Sequence, residues 1–212
     1  MTRALPTLAA EGSTIRAVET DLDLLGRLRA GDEGAFVLLV NRYERPLLRF
    51  ARSLVPNDAV AEEAVQDTWM GVVRGIEGFE GRSSVKTWLF RILVNRARSA
   101  GSKEHRYLPV GNERAVDASR FGVRGQWAEP VERWVDDADA RLDATRWSPF
   151  LKAALDALPS RQRQVVLLRD VEGLSNGDVC SVLDISSANQ RLLLHRGRNG
   201  LRDALEPAMR EG

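Results

Sequence analysis

Cysteine and histidine are nearly missing from this chain. A single cysteine, Cys180, among 212 residues excludes an internal disulfide framework and a cysteine-rich zinc site. The two histidines, His105 and His195, are too few and too far apart to suggest a metal centre. No run approaches the roughly 18 uninterrupted apolar residues that mark a membrane-spanning helix. The opening stretch MTRALPTLAAEGSTIRAVE puts a proline and a glutamate where a secretory signal needs a continuous apolar run. We therefore expect a disordered leader over residues 1–20 and a cytoplasmic protein without membrane insertion. Charge of one sign is also lacking, because 31 Lys+Arg against 30 Asp+Glu leave a net +1. A nucleic-acid binder so balanced must work through local basic patches. There is no glycine-rich phosphate loop ending in Lys-Ser/Thr, no nucleophile–base pair and no metal-ligand spacing. No cofactor is expected and no enzyme.

What is present is helical periodicity in two blocks. From Asp21 to Arg106, Leu22, Leu25 and Leu28 share a face, and Gly31-Asp32 interrupts and caps. Phe36, Leu39, Val40 and Tyr43 recur at helical spacing, as do Leu47, Phe50, Ala51 and Leu54 beyond Pro46. Pro56-Asn57-Asp58 opens a helix from Ala59 to about Ile76. A glycine-bearing loop, Glu77 to Ser84, then leads to a helix from Val85 to about Gly101, with Trp88, Leu89, Ile92 and Leu93 on its apolar side. The block predicts a four-helix unit over 21–106 with its own core.

Residues 107–147 lose the periodicity and read as a linker, basic early (Arg106, Arg114, Arg120, Arg124) and acidic late (Glu129, Glu132, Asp136, Asp137, Asp139, Asp143). Trp127, Trp134 and Trp147 are unusual in an inert tether and point to docking or to a short packed helix. The second block spans 148–206, with a C-terminal tail over 207–212. Ser148-Pro149 is expected to start its first helix and Ser160 to cap the next. Gly173-Leu174-Ser175 and Asp184-Ile185-Ser186 then bracket a helix over Asn176–Leu183. The final helix carries Arg191, His195, Arg196, Arg198 and Arg202 with no acid among them. This is the signature of a helix–turn–helix, whose second helix enters the DNA major groove while neighbouring cations hold phosphates.

Two further patterns lie in the first block. Glu62, Glu63, Gln66 and Asp67 form a polar, mostly acidic strip on adjoining helical turns, an arrangement that is usually only a solvated face. Phe79–Ser84 precedes Lys86, Arg91, Arg96, Arg98 and Lys103, so cations follow a small polar loop along one helix. Such a site suits a single strand, with backbone contacts from the cations and room in the loop for an extruded base. Trp88 sits at apolar spacing and reads as core, and Cys180 as a small core residue.

QDTW at 66–69, FEGRSSVKTWLFRILVNRAR at 79–98 and LPSRQRQVVLLRDVEGLS at 158–175 together resemble the extracytoplasmic-function (ECF) class of bacterial sigma factors. The resemblance covers about residues 21–206 and implies an all-α fold of two small helical domains, sigma domain 2 and a helix–turn–helix sigma domain 4, joined by a largely irregular linker. It implies that Glu62, Glu63, Gln66 and Asp67 dock on the clamp helices of the largest subunit of core RNA polymerase, and that domain 4 meets the beta flap. For the −10 element it implies Phe79, Gly81, Arg82, Ser83, Ser84, Lys86, Arg91, Asn95 and Arg98; for the −35 duplex, Arg169, Arg191, His195, Arg196 and Arg198. Asn189 and Gln190 have amides able to pair with adenine, and Arg191 a guanidinium suited to guanine. A cognate anti-sigma factor is a further implied partner. The linker acids Asp136, Asp137 and Asp139 would then imitate nucleic-acid charge inside the polymerase channels.

The sequence departs from the family pattern in domain 4. Gly177 costs about 1 kcal/mol against alanine if it is interior to its helix. Leu193 stands where an arginine is common, and Gly197 and Gly200 are expected to loosen the second half of the basic helix. The rival reading is a helix–turn–helix regulator of duplex DNA with no role on the polymerase; it leaves QDTW and FEGRSSVKTWLFR without a task.

Overall fold

A computed structural model of the chain describes residues 19–103 and 140–210, with side chains over 19–99 and 149–206. Every regular element among the described residues is helical. α1 (Asp21–Arg29) begins at Thr20, whose hydroxyl accepts from the Asp23 amide while the Asp23 carboxylate returns to the Thr20 amide. Residues 19 and 20 thus belong to the folded unit rather than to a leader, since Glu19 also pairs with Arg27 at 2.6 Å. Gly31, at φ +86°, makes the left-handed turn into α2 (Glu33–Ala51), which Asp32 caps. The Arg27 guanidinium hydrogen-bonds Asp32 and holds its carboxyl below the usual range.

α2 runs unbroken through Pro46. Leu39, Tyr43, Leu47 and Phe50 stay on one buried stripe on both sides of the ring, so packing outweighs the single donor that proline removes. α3 (Asp58–Gly75) starts at the Asn57 cap and ends in a 3₁₀ turn, Ile76–Gly78. α4 (Val85–Lys103) returns along α3 with α2 behind both. Phe50 and Phe90 meet edge to face, 5.4 Å between centroids, and Phe36 meets Trp69 at 5.7 Å.

In the second unit, α5 spans Ala140–Ala157 and crosses Pro149. The sequence placed a helix start at Ser148-Pro149; the proline costs one donor, yet the preceding ARLDATRW continues the helix upstream. α6 (Ser160–Val166) is preceded by Pro159 with no side-chain cap, so Ser160 opens the helix without capping it. The chain then widens into a π segment, Leu167–Val171, closed by the Glu172 amide on the Leu167 carbonyl at 2.8 Å. Gly173 (φ +71°) turns the chain toward α7 (Asn176–Leu183), capped by Ser175 and ended by Asp184 in the left-handed region at φ 57°. α8 extends from Ser187 to Arg210, well into the expected tail.

The two units touch. α4 lies against α7, and the buried Gln164 amide donates to the Ser53 carbonyl at 3.1 Å. One apolar cluster runs from Leu24 and Phe50 through Leu93 to Val165, Leu168 and Leu183. Trp127 and Trp134 and the acids Asp136, Asp137 and Asp139 lie outside the described residues, and of Trp147 only the helical backbone is described.

Candidate polymerase and nucleic-acid interface

α3 has two distinct faces. Ala61, Ala64, Val65, Thr68, Trp69 and Val72 are buried, which turns Glu62, Glu63, Gln66 and Asp67 outward into solvent. Among the described residues none of these four makes an ion pair. Met70 and Val73 extend the same outward strip and are 52% and 53% exposed. Reading the sequence for charge missed them. Their signal was phase, because both fall out of step with the buried stripe of α3.

The loop between the 3₁₀ turn and α4 is braced from inside. Phe79 is buried against Trp88, 4.8 Å between ring centroids, so it anchors the loop, and its only outlet is the depression beneath the tip. Arg29 donates to the Ile76 carbonyl at 2.9 Å and also to the Phe79 carbonyl. Ser84 is likewise occupied, since its hydroxyl accepts from the Thr87 amide at 3.0 Å and caps α4. Ser83 is half-buried. The outward tip is Glu80–Arg82: Gly81 holds φ +71° and Arg82 is exposed beside Glu80 at 3.2 Å. An open depression of about 310 Å³ lies under this tip, lined by Leu22, Leu25, Arg29, Phe79, Glu80 and Gly81. Leu22, Leu25 and Phe79 supply apolar wall and Arg29 and Glu80 polar groups, a mixed lining that suits the face and edge of an extruded base.

Along α4, Arg91 and Asn95 are exposed and one turn apart. Lys86 and Arg98 are not free: Lys86 pairs with Glu172 of the second unit at 3.1 Å, and Arg98 donates to the Leu183 carbonyl at 2.9 Å.

On α8, Asn189 and Arg191 are exposed, and His195 and Arg196 are half-buried. Gln190 is 1% exposed, with neither amide atom hydrogen-bonded, so it cannot reach a base edge from this position. Helical phase explains the correction. Gln190 shares its face with the buried Leu193, which fills core where an arginine would need solvent. Arg198 is engaged by Asp170 through two hydrogen bonds, Nε at 2.9 Å, and that bonding pushes its guanidinium further up in pKa. It ties α8 to the π segment instead of facing a phosphate. Arg169 donates to the Leu174 carbonyl and holds the turn before α7.

Gly197 and Gly200 do not loosen α8. A Cβ on Gly197 would lie 2.6 Å from Val166 Cγ2, and one on Gly200 2.7 Å from Leu158 Cδ2. At both points α8 passes too close to α6 or to Leu158 at the end of α5 for a side chain to fit without a shift.

Comparison with known proteins gives this arrangement its class. Residues 39–107 match sigma-70 region 2 and residues 151–201 match sigma-70 region 4, together more than half of the chain. The ECF RNA polymerase sigma-E factor of Escherichia coli (strain K12) is 27% identical over 191 residues, covering 90% of this chain and 97% of that protein. That of Haemophilus influenzae is 28% identical over 190 residues, with the same coverage. Among solved structures, the sigma factor RpoE in complex with the anti-sigma factor NepR from Bartonella quintana matches at 25% identity and TM-score 0.54, over 81% of this chain and 96% of that one. CnrH in complex with the cytosolic domain of CnrY shares the fold at 22% identity and TM-score 0.55, over 90% and 99%. Helices carrying regions 2 and 4 in this order define a bacterial transcription-initiation factor. The chain belongs to the ECF class of sigma factors, which direct RNA polymerase to promoters.

Proposed function

We propose a division of labour among the residues. The outward strip of α3, Glu62, Glu63, Gln66 and Asp67 extended by Met70 and Val73, docks on the clamp helices of the largest polymerase subunit. Its acids supply charge complementarity and its two apolar side chains the desolvated contact. The tip Gly81–Arg82 above its depression takes an extruded base of the −10 element, and Arg91 and Asn95 meet the strand upstream. Asn189 and Arg191, with His195 and Arg196 behind them, read the −35 duplex, and the second unit meets the beta flap. We start that second unit at Ala140, where α5 begins, and the first at Glu19. A cognate anti-sigma factor is the further partner, by analogy with the complexes of RpoE and CnrH.

The factor performs no covalent chemistry of its own and acts in the cytoplasm, where polymerase and DNA are. Unstacking a duplex step costs a few kcal/mol. With no phosphate-loop motif in the chain, that cost is met by binding: base capture in the first unit, anchoring by the second, each good bidentate base contact worth roughly 1–3 kcal/mol.

The observation that carries the reading is one four-helix unit presenting both an outward strip on α3 and a braced, glycine-tipped loop over a base-sized depression. Run-off transcription with purified core enzyme tests it. Promoter-specific initiation that Arg82→Ala or Arg191→Ala weakens is expected. Duplex binding without initiation would instead favour an ordinary helix–turn–helix regulator.

A further inference from the structure

Glu172 is the only buried acid among the described residues, its side chain 4% exposed. It is delivered by the π segment Leu167–Val171 and the left-handed turn at Gly173, and it reaches out of its own unit. Both cations that receive it belong to the other unit. Arg49, from α2, holds Oε1, and Lys86 Nζ, from α4, lies 3.1 Å from Oε2 and also donates to the Glu172 carbonyl. A buried carboxylate is tolerated only when both oxygens are paired in this way. Two cations divided between the two oxygens of one carboxylate also fit two non-bridging oxygens of a phosphate.

We infer that Arg49 and Lys86 form a binding site for a nucleic-acid phosphate on the first unit, and that Glu172 fills it as an internal substitute while the two units are closed. Arg98 supports the same view, because its guanidinium lies on the same helix as Lys86 and is spent on the Leu183 carbonyl. Two of the α4 cations assigned to the −10 strand are therefore consumed by the second unit. Strand capture and closure compete for the same side chains, so the free factor holds itself off single-stranded DNA until the units separate. The inference rests on the proposed assignment of α4 to the promoter strand and adds Arg49 to that surface.

The test uses the full chain as wild type, E172Q, Q164A and E172Q/R49Q, with a fluorescein-labelled oligothymidylate as probe. Anisotropy titrations at several salt concentrations give affinity and salt slope, and small-angle scattering gives the radius of gyration. Glu172→Gln keeps the shape and removes the charge. Its apparent affinity should rise about tenfold, as the strand-competent fraction grows in proportion, and its radius of gyration should increase. Gln164→Ala cuts the uncharged Gln164–Ser53 link and offers a second route to the same open form, should E172Q misfold. In E172Q/R49Q the slope of log K against log salt should shrink by about 0.7, the share of one lost phosphate contact on a single strand. Unchanged affinity and radius in both E172Q and Q164A would overturn the internal competitor. An unchanged slope in E172Q/R49Q would remove Arg49 from the phosphate site. Run-off transcription is read in parallel: initiation by wild type with no gain in E172Q sinks the latch alone, whereas a gain in E172Q without initiation sinks the promoter reading alone.

Discussion

At Gly197 the α8 backbone passes Val166 and the Gln162 carbonyl so closely that a Cβ would sit 2.6 and 3.3 Å from them. Val166 is buried and β-branched and has little room to turn aside. Overpacking of this kind costs about 1–3 kcal/mol, against a helix-propensity gain of about 1 kcal/mol for alanine. Gly197→Ala should therefore lower stability, by up to about 2 kcal/mol from those two magnitudes. Gly177 is the opposite case, since its nearest obstacle is Ser175 Oγ at 3.9 Å, in ordinary contact range. Gly177 is the second residue of α7, so Gly177→Ala should stabilise by no more than the roughly 0.5–1 kcal/mol of a helix interior. Urea denaturation of the two variants checks both signs; midpoints moving the same way would refute the packing argument. In the sequence these glycines look alike, each a weak point in a helix. What separates them is the neighbouring helix, and no local pattern encodes it. Gln190 taught the same lesson, for its amide suits a base edge and its helical phase buries it.

Among elements, α1 is held to α2 by the Tyr43 hydroxyl, which donates to Asp21, and by Arg42 on the same carboxylate. Burial first, then the hydrogen bond to Asp21 and its negative charge, push the Tyr43 phenol well above its ordinary value. The folded chain thus keeps a proton that the unfolded chain gives up near pH 10. Stability from this group is complete below that pH and declines as pH rises beyond it. Tyr43→Phe should cost about 1 kcal/mol at neutral pH and flatten the alkaline decline, measured as the difference between wild-type and variant urea midpoints from neutral to about pH 11. If that difference stays constant across the range, the phenol is not the titrating group.

The outward strip of α3 allows a cleaner separation of fold from binding. Met70 is half exposed, so Met70→Asp should leave the unfolding midpoint in place while weakening core polymerase binding about tenfold or more, the scale of an interface anchor. Equal affinity in a pull-down titration with core enzyme would take Met70 off the interface. The helices themselves were legible in advance, because buried positions such as Ala61, Val65, Trp69 and Val72 repeat at helical spacing. The continuation of α5 upstream of Pro149 was not, since a Ser-Pro pair looks like a helix start whether or not the helix continues before it.

For the whole molecule the decisive contacts join residues far apart in sequence, Ser53 with Gln164 at a separation of 111 and Arg49 with Glu172 at 123. Periodicity is blind to such pairs, which is why two domains were readable from the chain and their closure was not. The apolar cluster that runs through both units makes them partners in unfolding as well as in contact. A wild-type chain in this closed form should melt in one transition, with calorimetric and van't Hoff enthalpies in agreement. The interface rests on few polar links, and Gln164→Ala leaves the Ser53 carbonyl without its donor, a loss of about 1–3 kcal/mol while it stays buried. Opening the interface lets water reach that carbonyl and recovers part of the loss, so the variant favours separated units. Combining Gln164→Ala with Glu172→Gln removes the central links of both kinds and should split the melt into two transitions, one for each unit. Retention of a single transition in the double variant would mean that the apolar contact of α4 with α7 alone couples the units, and that the polar links only set their register.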